Sequence, residues 1–212
     1  MYGRYYEDGR PEPFSSNPLI SRAHNSGAGS TKALTYLLLV GDPGLGEHNA
    51  RTGFTRSAST RESEIKGLGH NCAVVRISDL MDFRDALLSS EEINGGIEYY
   101  GHGSSRDLYV GETDDDYTNI NSSNINEIGQ VPLLNNIILQ LYSCSSGLDG
   151  DKSIAQMLAN HLKVDVIGSV RDLGFTGERG VYLHGTTARP PESGPLYMTP
   201  PRQSDWVRFS PK

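Results

Sequence analysis

Apolar residues in this chain gather into short unbroken runs that stop at glycine, aspartate or serine. The first, Ala33 to Val40 (ALTYLLLV), is closed by Gly41-Asp42-Pro43-Gly44. A short continuous run bounded by turn residues predicts a strand buried on both faces. Cys72 to Ile77 (CAVVRI), Gly96 to Tyr100 (GIEYY), Asn136 to Tyr142 (NIILQLY) and Val164 to Val170 (VDVIGSV) read as four further strands. Between the runs the period becomes helical. Ser78-Asp79 reads as an N-cap ahead of Met81, Phe83, Leu87 and Leu88 on one face, and Ser153 to Leu162 (SIAQMLANHL) is clearly amphipathic. Ser59 to Leu68, within a loose stretch from Gly46 to Gly69, and Ser122 to Ile128 are weaker helical segments. Leu108 to Val110 reads as a hairpin arm, Val181-Tyr182-Leu183 as part of a second hairpin, and Asp114-Asp115-Asp116 as a solvated loop. Trp206 and Phe209 fall in a tail after Gly- and Pro-rich turns.

Strands alternating with helices predict an α/β fold with a mostly parallel sheet covered by helices on both faces. Residues 1 to 31 do not join that pattern. They hold three prolines, several glycines and no sustained period, and read as an irregular N-terminal arm before a single domain over 32–212. A chain of 212 residues is long enough for that division.

Charge and composition narrow the partners. The net charge of -7 argues against a general nucleic-acid or anionic-membrane surface. The longest apolar run, Tyr36 to Val40 with Leu34 before it, is too short to span a bilayer, and Met1 to Arg10 is too polar for a secretory leader. Cys72 and Cys144 make no disulfide framework and are too far apart for a CxxC motif, so both are expected reduced. His48, His70, His161 and His184 lack metal-ligand spacing, and no metal is expected. GDPGLGEH is not a phosphate loop, and SCSSG is not a G-x-S-x-G elbow; its serines are expected to tie down a turn.

In parallel sheets, reactive groups collect outside the carboxyl ends of the strands. Asp42, His102 and Cys144 occupy three such ends. Each has an ordinary reading: a turn starter before proline, a turn residue between glycines, a small buried hydrophobe. Their joint placement favours chemistry. Cys144 becomes a nucleophile as its thiolate, and His102 is suited to take the thiol proton and deliver it to a leaving amine. Asp42 would orient the imidazole. Gly101 and Gly103 are expected to let the chain turn sharply and a substrate backbone approach, with the N–H groups of Gly103 and Cys144 as oxyanion donors.

His102 precedes Cys144 by 42 positions, near the spacing of about 50 known for caspase-type cysteines. The strands ending in YLLLVGD (36–42), IEYYGHG (97–103) and IILQLYSC (137–144) resemble the caspase-like (clan CD) cysteine peptidases. They resemble most the autoprocessing cysteine protease domains of clostridial glucosylating toxins and MARTX toxins. VIGSVRDLGFTGERGVYLHG (166–185) is similar to the family's strand and flap after the cysteine, so the resemblance covers about 33 to 185.

The resemblance implies a caspase-like three-layer sandwich with a C-terminal β-flap. It implies a cysteine endopeptidase with Cys144 as nucleophile, His102 as acid/base and Asp42 as its orienting group. Autoprocessing of a bacterial toxin or effector, delivered into a host cell and acting in a reducing cytosol, follows from it. So does allosteric activation by inositol hexakisphosphate. Arg171, Arg179, Lys152 and Lys163 are the candidate ligands for that polyphosphate, with Arg189, Arg202 and Arg208 as further cations of the C-terminal region. The substrate would be a peptide or protein, including the chain's own N-terminal arm, where Leu19-Ile20 is a candidate cut site. Three alternatives stay open: a trans-acting protease that cleaves host proteins, a non-catalytic binding domain of the same fold, and a thiol transferase or acyltransferase using the same dyad. A basic substrate residue would be favoured if Asp165 or Asp172 lined the specificity pocket, and leucine if the pocket were apolar.

Overall fold

The structure is a computed structural model that describes residues 32–42, 48–89, 93–112, 117–133, 136–175, 177–178, 181–182, 186–189, 197–199 and 203–212. The chain divides into two units at Lys32/Ala33, and the fold below is that of Ala33–Lys212. The arm with Leu19-Ile20, the Asp114–Asp116 loop, Arg179 and Arg202 lie outside the described residues.

The strands β1 (Thr35–Gly41), β2 (Asn71–Ile77) and β3 (Gly96–Tyr100) are joined by helices α1 (His48–Gly67) and α2 (Leu80–Ser89). Three short strands follow, β4 (His102–Gly103), β5 (Leu108–Glu112) and β6 (Tyr117–Ile120), then a 3-10 turn at Ile125–Ile128. Next come β7 (Ile138–Tyr142), α3 (Ile154–Leu162) and β8 (Asp165–Ser169). The last part holds β9 (Leu173–Gly174), β10 (Gly177–Glu178), β11 (Val181–Tyr182), β12 (Thr186–Arg189), β13 (Tyr197–Thr199) and β14 (Trp206–Phe209).

The central sheet has the order β14-β8-β7-β3-β1-β2. It is parallel throughout except at β14, which runs antiparallel along β8. The antiparallel edge is new relative to the sequence pattern, where Trp206 and Phe209 fall in a tail.

Alternation of side chains across each strand builds two cores. Leu37, Leu39, Ile97, Tyr99, Leu139 and Leu141 face α2 and α3. Tyr36, Leu38, Val40, Tyr100 and Tyr142 face α1 through Phe54, Ala58 and Ile65. The result is an α/β arrangement of a mostly parallel sheet between helical layers.

Local chemistry fixes the helix ends. Asp79 Oδ1 accepts from the Asp82 N–H (2.7 Å), while Asp82 Oδ2 accepts from both the N–H (2.9 Å) and hydroxyl (2.6 Å) of Ser78. Ser153 caps α3 through the Gln156 N–H (3.2 Å). The helix ends at Lys163 in the left-handed conformation (φ 57).

Helix α1 is longer than the periodicity predicts, starting at His48 rather than Ser59. Its buried stripe is Phe54, Ser57, Ala58, Arg61 and Ile65. The spacing is helical, but one member, Ser57, is polar and another, Arg61, is charged. Arg61 is 1% exposed and binds Glu98 of β3, itself fully buried, through Nε (2.9 and 3.2 Å). Glu98 also accepts from the Tyr100 hydroxyl (2.6 Å). Burial works against the Arg61 charge, but Glu98, helped by Tyr142 and Tyr100, more than offsets it and holds the guanidinium protonated. Burial, with the Glu98 charge, holds the Tyr100 phenol neutral.

Candidate active site

Parallel registry brings the three candidate residues into one row. Val40 of β1 pairs with Tyr100 of β3, and Tyr100 with Tyr142 of β7. Asp42, His102 and Cys144 each lie two residues past that rung. Neighbouring strands are ~4.8 Å apart, so the row spans three adjacent strand ends. The ladder continues part of the way, because the Gly101 N–H donates to Tyr142 O (3.3 Å).

The row lies at the topological switch of the sheet. After β1 the chain passes over the α1 face to β2. After β3 it passes to β7 by way of β5, β6 and the 3-10 turn, whose Leu108, Val110, Ile120, Ile125 and Ile128 join the core on the other face. Connections that diverge between adjacent strands open a crevice at their carboxyl ends, where sheets of this class bind ligands.

Side-chain contacts place His102 and Cys144 on the α1 side. The His102 ring meets Phe54 of α1 edge-on, with centroids 4.9 Å apart, and Phe54 meets Phe175 at 4.8 Å. Cys144 packs against the same aromatic core, as do Phe175 and Trp206. Directly below, Tyr100 and Tyr142 stack at 4.8 Å and 12°, and Trp206 meets Tyr142 edge-on at 5.5 Å. Both His102 and Cys144 are half-buried. The N–H of Asp42 is anchored to Ile77 O (3.0 Å) and Val110 O (3.1 Å), which pins the end of β1 to β2 and β5.

The cysteine loop is zipped to the chain after β8. The Ser145 N–H donates to Arg171 O (2.9 Å), Gly147 N–H to Ser169 O (2.7 Å), and Ser169 N–H to Ser146 Oγ (3.1 Å). The serines around Cys144 therefore do tie the turn. Ser145 adopts a left-handed backbone (φ 53), and its hydroxyl donates to Asp172 Oδ1 (2.9 Å). Cys144 Sγ accepts from the Leu173 N–H (3.2 Å) and lies 3.5 Å from Leu173 O. Burial raises the Cys144 thiol pKa, the Leu173 N–H works the other way, and the Asp172 charge adds to the rise. In this conformation the sulfur is held as the neutral thiol.

A second zip joins the histidine loop to the cysteine loop. Ser105 O accepts from the Ile154 N–H at the start of α3 (2.8 Å). Ser105 Oγ and Arg106 Nε both donate to Asp149 (2.9 and 3.2 Å). The Ser105 hydroxyl, then Arg106, lower the Asp149 pKa.

The glycines beside His102 serve the protein's own packing. A Cβ on Gly101 would lie 2.1 Å from the Tyr99 hydroxyl, which donates to Tyr109 O (2.5 Å). A Cβ on Gly103 would lie 3.0 Å from Ser143 Cβ and 3.2 Å from Asp107 O. Neither glycine has a positive φ, so the sharp turn expected of them is not a conformational demand. Room for a neighbouring chain segment, rather than for substrate, explains them. The Gly103 contact does bring that residue against Ser143, next to Cys144.

The proposed ligand cations do not all converge. Arg171 follows β8 and pairs with Asp205 (3.6 Å), near the cysteine loop. Lys152 closes the 3-10 turn before α3. Lys163 follows α3 at the start of β8, the far end of the sheet from Cys144. Arg208 is bound to Asp165 at that same far end, which removes Asp165 from the site. The side chain of Arg189 is not described.

Sequence periodicity misses two contributors, Phe54 and the Arg61–Glu98–Tyr100 set, because α1 is so weakly patterned. Among the described residues no three His, Cys, Asp or Glu side chains group as metal ligands, and no helix is long and apolar enough to cross a membrane. No protein-family model matches this chain, and no curated protein matches it either.

Proposed function

We propose that the protein is a cysteine endopeptidase of the caspase-like kind, built on the α/β sheet described above. One observation carries the reading. Asp42, His102 and Cys144 extend the same rung of three adjacent parallel strands, at the switch point of the sheet.

Cys144 Sγ attacks the scissile carbonyl carbon as His102 takes the thiol proton. The carbonyl oxygen gains the negative charge, with the Gly103 and Cys144 N–H groups as its proposed donors. Collapse of the adduct breaks the C–N bond, and His102 passes its proton to the departing amine. Water, deprotonated by His102, then adds to the thioester. The carboxylic acid leaves, and the thiol regains its proton. Asp42 is the proposed orienting group for the imidazole. The thiol hydrogen must turn from Leu173 O, 3.5 Å away, toward His102 before attack, while the Leu173 N–H can stay on the sulfur.

The biological setting extends the same proposal: a bacterial effector or toxin protease that cuts its own N-terminal arm, inositol hexakisphosphate being its activator. Of the proposed ligand cations, Arg171, which also pairs with Asp205, and Lys152 lie on the cysteine side of the sheet. The test is incubation of wild type, Cys144→Ala and His102→Ala with a peptide library, with and without the polyphosphate. Wild type alone should cleave. Equal cleavage by Cys144→Ala would refute the nucleophile, and wild-type cleavage indifferent to the polyphosphate would refute the switch. An intact arm in a wild-type chain that cleaves peptides would point to action in trans.

A further inference from the structure

The endopeptidase reading leaves the preferred substrate residue open, and the surroundings of the sulfur bear on it. We propose that Asp172 selects a basic side chain, arginine or lysine, in the residue that donates the scissile carbonyl. This inference rests on the protease reading.

Three contacts fix Asp172 beside the nucleophile. Ser145 N–H binds Arg171 O at 2.9 Å, on one side of Asp172. Leu173, on the other side, binds Cys144 Sγ through its own N–H at 3.2 Å. The Asp172 carboxylate then accepts from Ser145 Oγ at 2.9 Å. Its side chain is exposed, and its charge is felt at the Cys144 sulfur.

Two other described carboxylates near this segment are committed elsewhere. Asp205 is buried and pairs with Arg171, which occupies that cation as well. Asp165 pairs with Arg208 at the far end of β8. Among the described residues, Asp172 joins the Cys144 turn through one oxygen and keeps an exposed carboxylate. The aromatic wall that Cys144 packs against, which includes Tyr142 and is joined by Phe175 and Trp206, suits the methylene stem of a long cationic side chain. The same wall with no acid beside it would suit leucine. The carboxylate adds a charge-assisted contact that a neutral residue cannot use.

Asp172 has a structural alternative, that of holding the left-handed Ser145 in place. Asp172→Asn separates the two roles, because the amide oxygen still accepts from Ser145 while the charge is lost. The experiment measures kcat/KM for matched fluorogenic peptides carrying Arg, Lys, Leu or Glu before the cut, on wild type, Asp172→Asn and Asp172→Lys. Wild type should prefer Arg and Lys over Leu by at least about tenfold. Asp172→Asn should lower the Arg:Leu ratio by roughly 10- to 100-fold, the value of one charged hydrogen bond, mainly through KM. Asp172→Lys should turn the preference toward Glu. A wild type that cleaves Leu as well as Arg overturns the inference while leaving the protease reading intact. So does an Arg:Leu ratio that Asp172→Asn does not move. No cleavage of any peptide by wild type overturns both.

Discussion

Replacing Glu98 by leucine strands two buried groups at once. Arg61 would keep only Glu64, at 3.2 Å on the edge of the protein, and the Tyr100 hydroxyl would lose its 2.6 Å acceptor. Removing one partner of a buried ion pair costs roughly 3–5 kcal/mol, because the other charge stays behind uncompensated. At roughly 2–4 °C per kcal/mol for a domain of this size, the midpoint of thermal unfolding should fall by roughly 6–20 °C. Adding Arg61→Met removes the stranded charge, and apolar replacement of a buried pair is commonly neutral or favourable. The double variant should therefore recover most of the loss. What remains is the orphaned Tyr100 hydroxyl, about 1–3 kcal/mol. Tyr100→Phe as a third change should recover that in turn. Urea unfolding followed by circular dichroism, at one pH and with a common m-value, measures all four proteins. Glu98→Leu within about 1 kcal/mol of wild type would refute the argument. So would a double variant less stable than the single.

Gly101→Ala should cost roughly 1–3 kcal/mol, since the new methyl meets the Tyr99 hydroxyl at 2.1 Å and displaces its bond to Tyr109; a denaturant midpoint equal to wild type would contradict this. Gly111→Ala should be worse, because the obstacle is backbone, Ser78 O at 1.8 Å; soluble yield and melting temperature should both fall further than for Gly101→Ala. The Ser78 hydroxyl, then the Ser78 N–H, hold the Asp82 pKa below its unfolded value of about 4. A depressed carboxylate contributes stability above the unfolded pKa and loses it as pH falls through the folded one. The stability gap between wild type and Ser78→Ala should therefore be present at pH 6 and close as acid titrates Asp82; a gap that widens below pH 4 would reverse the sign. Burial, then the Glu62 charge, push the Cys72 thiol up to about 12, so its alkylation by iodoacetamide should keep rising with pH to that point. Cys144, eased by the Leu173 N–H, should level off earlier, as read by mass spectrometry of each cysteine; a Cys72 plateau below that of Cys144 would count against these environments.

The central strands were readable because each is buried on both faces and so needs an unbroken apolar run. The candidate site was readable for the same reason, since a run that stops at Asp42, His102 or Cys144 marks where the sheet opens to solvent. Registry was not readable: nothing in the residues alone states that Val40, Tyr100 and Tyr142 share a rung. Helix α1 was only half visible because its inward stripe spends a position on Arg61, whose partner Glu98 hides within an apolar strand. Strand β14 was missed because four residues with one buried side chain, Phe209, carry too little pattern to show. The glycines around His102 looked like room for a ligand. They proved to be room for Tyr99 and Ser143, a distinction that only three-dimensional neighbours make.

The rung shared by β1, β3 and β7 also limits how this chain can change length. Side chains on a strand point alternately up and down, so one residue added between Gly96 and Tyr100 would carry the imidazole through the sheet to the α2 side. Insertions are harmless only where the chain has left the ladder, and any drift in length has to be absorbed by the connections around the crevice.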